Sequence, residues 1–169
     1  MTYAPSLTFD AYQVGDIRVS VVSDGAIAVP VNFRMTPPEI AFLVSDCQAG
    51  VVVTEPVLAG VATAVRDLDA TLNTVIVAGG ATEDGVLGYE DLLAEGAACP
   101  AVDVPDDSPA LIMYTSGTTG RPKGAVLTHN NLAGQALTHL FTNGADINHD
   151  IGFVGVPLFH IAGIDNTIS

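Results

Sequence analysis

Apolar residues follow two alternating patterns along the first half of the chain: short β-branched runs, and segments with a helical repeat. The runs predict strands at Ala26–Val31, Gly50–Thr54 and Thr74–Val77. The segments between them predict helices, because apolar residues at i, i+3, i+4 and i+7 line one face of a helix. Strand–helix–strand–helix–strand at this spacing indicates a parallel sheet with right-handed crossovers. The pattern therefore predicts an α/β fold.

Prolines mark where the two helices begin. Thr36-Pro-Pro-Glu39 has the pattern of a capping box with proline in the first helical turn. Pro56 opens the second helix. A further short helix is predicted at Tyr89–Glu95. Each of the first two helices has an apolar stripe that we expect to be buried: Ile40, Leu43, Val44 and Cys47 in one, and Leu58, Val61, Ala62 and Val65 in the other.

The second half opens with a proline- and aspartate-rich stretch, Ala97–Pro109, which predicts a linker between two halves of one fold. The elements predicted after it are a strand at Ala110–Tyr114, a polar loop, a strand at Ala125–Leu127, a helix at Asn130–Thr142, a strand at Ile151–Val156 and a helix after His160. The helix that begins at Asn130 carries an apolar stripe formed by Leu132, Ala133, Ala136, Leu137, Leu140 and Phe141.

The polar loop carries the most informative chemistry in the chain. From Thr115 to Lys123 it holds four hydroxyl residues, two glycines, an arginine and a lysine. Glycines allow positive φ and a close backbone approach, successive N–H groups form a nest for anions, and the hydroxyls and the lysine add donors and positive charge. The segment therefore predicts a phosphate-binding loop. A flexible Ser/Thr/Gly linker is the alternative, but two apolar strands flank this loop and it ends in a rigid Arg-Pro-Lys.

Two common nucleotide-binding loops do not fit this segment. In the P-loop of NTPases a glycine precedes the lysine and a hydroxyl residue follows it. Here Pro122 precedes Lys123, and Gly124 follows it. The dinucleotide-binding pattern fails as well, because Thr115 stands where its first glycine is needed.

The whole segment, Tyr114-Thr-Ser-Gly-Thr-Thr-Gly-Arg-Pro-Lys-Gly124, resembles the phosphate-binding signature of the adenylate-forming superfamily. That superfamily includes acyl-CoA synthetases, luciferases and peptide-synthetase adenylation domains, and the segment matches its signature at every fixed position. Further segments that resemble the family are Gly25–Glu39, Val126–Leu132 and Pro157–Gly163. The resemblance implies a partial N-terminal AMP-binding domain at 25–169, with a mostly parallel sheet and flanking helices, after a non-matching segment at 1–24.

The resemblance also implies the chemistry of an ATP-dependent acyl-CoA synthetase. A carboxylate and ATP would give acyl-AMP and pyrophosphate, and the acyl group would then pass to coenzyme A. Phe159 and His160 would line the acyl-substrate entrance, which favours a fatty or aryl acid as substrate; a partly buried structural histidine is the alternative for His160. Thr118 and Thr119 would contact Mg²⁺. The residues implied to hold the ATP phosphates are Thr115, Ser116, Gly117, Thr118, Thr119, Gly120 and Lys123, with a lesser role for Arg121.

Composition narrows the classes of partner. The chain has 169 residues and a net charge of −14, with 5 Lys and Arg against 19 Asp and Glu. A chain this acidic is a poor candidate for binding nucleic acid or an anionic membrane, because like charges repel. No apolar run approaches the roughly 20 residues of a membrane helix. Two cysteines, Cys47 and Cys99, are too few for a disulfide framework. Met1–Asp10 lacks the pattern of a signal peptide, so a cytoplasmic protein is expected.

The apolar share of the sequence, 49%, is high for this length, since a domain of about 150 residues buries only about 70% of its unfolded surface. We therefore expect a piece of something larger, with exposed apolar surface and either self-association or a missing complementary part. The family's adenine-binding segment and C-terminal domain are expected beyond Ser169. Two interpretations stay open: part of an acyl-CoA synthetase, or a catalytically inactive remnant that at most binds nucleotide or a partner.

Overall fold

The computed structural model describes residues 12–14, 17–19, 25–79, 85–94, 103–115, 120–144 and 155–168. The strands in these ranges are β1 (Tyr12–Val14), β2 (Ile17–Val19), β3 (Val51–Thr54), β4 (Thr74–Val77), β5 (Leu87–Gly88), β6 (Pro109–Thr115) and β7 (Lys123–Thr128). The helices are α1 (Pro37–Cys47), α2 (Ala59–Leu68), α3 (Tyr89–Ala94), α4 (His129–Asn143) and α5 (Ile161–Ile168). A 3-10 turn at Pro56–Leu58 leads into α2.

The parallel sheet predicted from the first half is present. Strands β3, β4 and β5 lie side by side in that order, and both neighbouring pairs are parallel. The register pairs Val52 with Val75, so their side chains share one face of the sheet. Helix α2 packs on β3 and β4, and α1 packs on α2. The apolar burial between these elements stabilises the first half of the fold. The centre of this core is formed by Ile40, Val44, Val65 and Leu72.

Local sequence explains where α1 begins and which side of it is buried. Pro37 is its first residue, and the carboxylate of Glu39 accepts hydrogen bonds from the backbone N–H and the hydroxyl of Thr36, both at 2.7 Å. The bond from the Thr36 N–H is the backbone half of the predicted capping box, and the bond from the hydroxyl adds to it at the first turn. In the predicted stripe of α1, three residues are buried and the last is only half-buried: Ile40, Leu43 and Val44, then Cys47.

Strands β6 and β7 form an antiparallel hairpin. The strand predicted at Ala26–Val31 does not join the parallel sheet. It is reduced to an isolated parallel bridge between Ala28 and Leu111, because its hydrogen bonds go to β6. With neighbours on both sides, β6 buries the side chains of Leu111 and Met113. The two bonds to β6 are Ala28 N to Ala110 O at 3.0 Å and Ile112 N to Ala28 O at 2.9 Å.

Apolar surface stays exposed in both halves of the described structure. Val51 and Val53 are 53% and 56% exposed, and they alternate with Val52, so they lie on the sheet face opposite the core. Phe141 on α4 is 84% exposed. Helix α4 contacts β7 and α5, yet none of its described side chains is buried. The described residues therefore leave the predicted stripe of α4 largely uncovered.

The remaining predicted elements are only partly described. The short helix predicted at Tyr89–Glu95 is α3, and the helix predicted after His160 is α5. Residues 151–154 of the strand predicted at Ile151–Val156 lie outside the described residues, and the remaining two are not in a strand. Residues 97–102 of the predicted linker also lie outside the described residues. Residues 103–105 are irregular, a turn and a bend follow at 106–108, and Pro109 is the first residue of β6. In the part of the chain that the structure describes, no helix is long and apolar enough to cross a membrane.

Candidate functional site

The hairpin β6–β7 carries the loop predicted to bind phosphate. Its register places Thr115, the last residue of β6, opposite Lys123, the first residue of β7. The Thr115 hydroxyl donates to the backbone carbonyl of Lys123 at 3.4 Å, and both residues are exposed. Two of the predicted phosphate ligands therefore meet at the loop end of the hairpin, where an anion in solvent can reach the ammonium group.

Gly120 adopts a backbone conformation that other residues rarely take. Its φ is +88°, in the left-handed region, and a Cβ there would meet no atom within 4 Å. The requirement for glycine is therefore conformational and not a matter of space. The other predicted phosphate ligands lie outside the described residues: Ser116, Gly117, Thr118 and Thr119.

The magnesium contacts predicted at Thr118 and Thr119 stay a prediction, because both lie outside the described residues. Among the residues that the structure describes, no group of three His, Cys, Asp or Glu side chains could hold a metal ion.

Gly124, the last glycine of the motif, makes room inside the hairpin. It is the cross-strand partner of Tyr114. A Cβ at Gly124 would lie 2.8 Å from Ile112 Cγ2 and 3.2 Å from Tyr114 Cζ. The side chains of β6 therefore occupy the space that a larger residue would need.

Tyr114, which enters the loop, is bound to helix α1. Its phenol donates a hydrogen bond of 2.6 Å to Oδ2 of Asp46, which lies 68 positions earlier in the sequence. Burial is the first cause, and this hydrogen bond the second, that raises the pKa of the Tyr114 phenol well above its ordinary value of 10.0. Tyr114 is therefore a neutral donor at neutral pH, and it ties the end of β6 to α1.

Arg121, which leaves the loop, contacts the same helix. Its guanidinium carbon lies 5.7 Å from the ring centroid of Phe42, within the range of a cation–π interaction. Phe42 and Asp46 are four residues apart on α1, so they lie on the same side of it. The chain thus contacts α1 both before and after the loop.

The second predicted site, Phe159 and His160, lies in the turn before α5. The Phe159 ring meets Phe33 edge to face, with centroids 5.9 Å apart and planes at 71°. His160 is exposed, and its Nδ1 accepts a hydrogen bond of 3.2 Å from the backbone N–H of Ala162. His160 is therefore not partly buried, and its role at the acyl-substrate entrance stays a prediction. Because Nδ1 is an acceptor here, a neutral imidazole carries its proton on Nε2.

Gly163 allows this turn to fold onto the first turn of α5. Its backbone N–H donates to the carbonyl of His160 at 2.8 Å. A Cβ at Gly163 would lie 2.8 Å from the carbonyl carbon of Pro157 and 3.1 Å from Cα of Leu158. Since these are backbone atoms that cannot turn aside, the path of the turn, and with it the placement of its aromatic residues, depends on this glycine.

The N-terminus of α4 lies at the opposite end of the hairpin from Thr115 and Lys123. Its cap is Thr128, whose hydroxyl accepts a hydrogen bond from Asn131 N. Thr128 pairs with Pro109 at the end of the hairpin away from the loop, whereas Thr115 marks the loop end. The length of β7 separates the two ends by about 17 Å, and the field of a helix terminus falls off within its first turn.

Sequence reasoning missed the contacts that hold the predicted site residues in place. Each joins side chains that are far apart in the chain, so no local pattern reports it. The only signal was that two of the partners stand four positions apart on α1, outside its buried stripe, and polar or aromatic residues on an exposed side of a helix are common. The missed contacts are Asp46 with Tyr114, Phe42 with Arg121, and Phe33 with Phe159.

Comparison with known proteins agrees with this geometry. The sequence matches the family described as AMP-binding enzyme over residues 19–168. It is 38% identical over 144 residues to the indoleacetate–CoA ligase of Aromatoleum aromaticum, which covers 84% of this chain and 28% of that protein. It is 37% identical over 145 residues to the long-chain-fatty-acid–CoA ligase FadD13 of Mycobacterium tuberculosis, which covers 85% of this chain and 28% of that protein.

The fold is also similar to that of solved structures. The crystal structure of ATP-bound MatB from Rhodopseudomonas palustris superposes with a TM-score of 0.68 at 31% identity, covering 84% of this chain and 27% of that chain. This chain spans 28% of the length of the two ligases, so it corresponds to one part of them. The matched range includes the hairpin, helix α1, which Tyr114 and Arg121 contact, and the turn that carries Phe159 and His160. The resemblance stated from the motif is confirmed, and the chain belongs to the AMP-binding enzyme family, the adenylate-forming superfamily.

Proposed function

We propose that this chain supplies the ATP-phosphate-binding hairpin of an acyl- or aryl-CoA ligase. The pairing of Thr115 with Lys123 at the loop end of the hairpin, in a chain of this family, carries the proposal. In the proposed reaction, a carboxylate oxygen attacks the α-phosphorus of ATP, the bond from that phosphorus to the bridging oxygen breaks, and pyrophosphate leaves with the electron pair. The thiol of coenzyme A then loses its proton and attacks the acyl carbon, and AMP leaves as the thioester forms.

The first step joins two anions and releases a third, so it depends on positioning and on neutralising charge. Lys123 is the sole lysine in a sequence of net charge −14. A charge-assisted hydrogen bond from its ammonium to a phosphate contributes about 1.5–3 kcal/mol. Thr115 adds a hydroxyl beside it, and Gly120 shapes the backbone next to the donors. Magnesium, when bound, neutralises phosphate charge, with Thr118 and Thr119 as its proposed contacts.

The proposed acyl substrate is a carboxylic acid with an apolar body. Two related proteins are named for indoleacetate and for long-chain fatty acids, which supports an aryl or fatty acid as the substrate class. Phe159, supported by Phe33, offers an aromatic wall, and His160 is exposed beside it with an Nε2 proton for a carboxylate oxygen. A cytoplasmic location is part of the proposal, and the free thiol of Cys47 fits a reducing compartment.

The role of Lys123 is testable by chemical modification. Because the sequence has no other lysine, an amine-acylating reagent modifies one side chain, apart from the N-terminal amine. We expect millimolar ATP to slow the modification of Lys123 and to leave that of the N-terminus unchanged, as measured by peptide mass spectrometry. Lys123→Ala should weaken ATP binding by about 10- to 150-fold, and Lys123→Arg much less. Equal modification rates with and without ATP would contradict the proposal.

The catalytic part of the proposal concerns the whole ligase. Because the chain spans 28% of the length of its relatives, we expect it not to complete adenylation alone and to need a complementary part. ATP–pyrophosphate exchange with a panel of fatty and aryl acids measures this. Carboxylate-dependent exchange by the isolated chain, above that of Lys123→Ala, would show that it acts by itself. ATP binding without exchange, even when the remaining ligase sequence is supplied, would favour the inactive remnant.

A further inference from the structure

Helix α1 contacts the chain on both sides of the phosphate loop. Before the loop, Tyr114 donates its 2.6 Å hydrogen bond to Asp46. After the loop, the guanidinium of Arg121 lies 5.7 Å from the ring centroid of Phe42. Phe42 and Asp46 are separate from the buried stripe of α1, which is formed by Ile40, Leu43 and Val44.

We propose that Phe42 and Asp46 form a docking surface on α1 that positions the two ends of the phosphate loop. The inference rests on the proposed function and adds positioning residues to it. Its physical basis is the weak support of the hairpin end, where Thr115, Gly120, Arg121 and Lys123 are all exposed. A two-stranded hairpin is marginally stable by itself, so contacts at both strand ends determine how the ends are spaced.

The docking surface is well suited to this role because α1 is itself fixed. Ile40 and Val44 anchor the helix in the core with α2 and the sheet. Gly124 leaves the space that the Tyr114 ring occupies on its way to Asp46, and the bond to the carboxylate is short and charge-assisted. Arg121 is held over the Phe42 ring, so it positions the chain two residues before Lys123. The docking surface thus acts through the backbone of the loop ends and touches no phosphate.

Amide hydrogen exchange of the full chain tests the docking without any ligand. Asp46→Ala and Tyr114→Phe should each raise exchange at the Thr115–Lys123 pair by about tenfold. The Leu111–Leu127 pair near the other end of the hairpin is the internal reference for global unfolding. The double variant should resemble the more affected single variant, because both changes remove the same bond. Unchanged exchange at Thr115–Lys123 in both single variants would overturn the proposal.

The second contact has its own variant and a matched control. Phe42→Leu should raise amide exchange at the Thr115–Lys123 pair by about threefold. Phe42→Trp should leave the exchange near the wild-type rate, because it keeps an aromatic face for Arg121. Asp67→Asn removes an exposed acid from α2 and should leave that pair unchanged. Equal rises in exchange with Phe42→Leu and Phe42→Trp would show that an aromatic face at this position does not hold Arg121, and would overturn the role of the ring.

Titration with ATP separates this inference from the proposed function. Phe42→Leu alters no group that could touch phosphate, so a loss of ATP affinity of about threefold, with the reference pair unchanged, is expected from positioning alone. If the wild-type chain binds ATP and Asp46→Ala and Phe42→Leu bind equally well, positioning is overturned while the proposed function stands. If the wild-type chain binds no ATP, the proposed function fails for this chain, and the exchange rates still decide whether the docking surface holds the loop ends.

Discussion

Gly124 and Gly134 should respond in opposite ways to substitution by alanine. At Gly124 the new Cβ would lie 2.8 Å from Ile112 Cγ2, so Gly124→Ala should destabilise the fold by about 1–3 kcal/mol through overpacking. Gly134 is exposed inside α4 with no atom within 4 Å of a Cβ, so Gly134→Ala should stabilise it by up to about 1 kcal/mol. Urea unfolding measures both, and a neutral Gly124→Ala would contradict the packing described for the hairpin.

Tyr114 makes stability depend on alkaline pH. Burial first, and then the bond to Asp46, raises its pKa in the folded state above the ordinary value of 10.0. Its contribution is therefore complete below pH 10 and is lost as the pH rises from there towards the folded pKa. Between about pH 9 and pH 11, the wild type should lose more stability than Tyr114→Phe, as measured by urea midpoints. Parallel declines in the two proteins would show that Tyr114 titrates as it does in the unfolded chain.

For single residues, the sequence predicts the candidate site where the functional groups lie close together in the chain. Hydroxyls, glycines and a lysine in one short run indicated the loop, and the structure places Thr115 and Lys123 together and Gly120 at positive φ. The sequence does not predict contacts between side chains that are far apart in the chain. The bond of Tyr114 to Asp46 spans 68 positions, and only the folded chain brings the two side chains together.

Helix α1 connects the core to the hairpin, and a titratable group holds its first turn. Hydrogen bonds from the backbone and then the hydroxyl of Thr36 lower the pKa of Glu39 below its ordinary value of 4.5. A lowered folded pKa stabilises the fold above the unfolded value, and the effect is lost as the pH falls through the folded value. Glu39→Gln should therefore lower the melting temperature at pH 7, with a deficit that shrinks below pH 4.5. A deficit independent of pH, or an equal one in the control Glu55→Gln, would contradict this account.

The sequence predicts helices and strands more reliably than it predicts which strands pair with each other. The apolar stripe and the capping box predict α1, and the β-branched runs predict β3 and β4. Each of these patterns lies within a single element. The run at Ala26–Val31 has the same local pattern, but Ala28 bonds to β6 and not to β3. Strand pairing depends on which backbone groups meet after folding, and a hydrophobic pattern does not specify that.

In the part of the molecule that the structure describes, large apolar side chains are exposed on several elements, among them β3 and α4. Val51 and Val53 lie on the uncovered face of the sheet, and Phe141 is 84% exposed on α4. Parallel sheets are normally covered on both faces, and large exposed patches in a soluble chain indicate an interaction surface or a tendency to associate. This agrees with a chain that spans 28% of the length of its relatives.

We therefore expect the isolated chain to bind a hydrophobic dye and to self-associate, as measured by fluorescence and light scattering. Val53→Thr combined with Phe141→Ser should lower both signals without lowering the urea midpoint, because each side chain is more than half exposed. Leu72→Ala is the contrasting variant: Leu72 is 1% exposed in the core, so its loss should destabilise the fold by about 2–5 kcal/mol and raise dye binding. A wild-type chain that is a monodisperse monomer and binds no dye would show that these apolar faces need no partner.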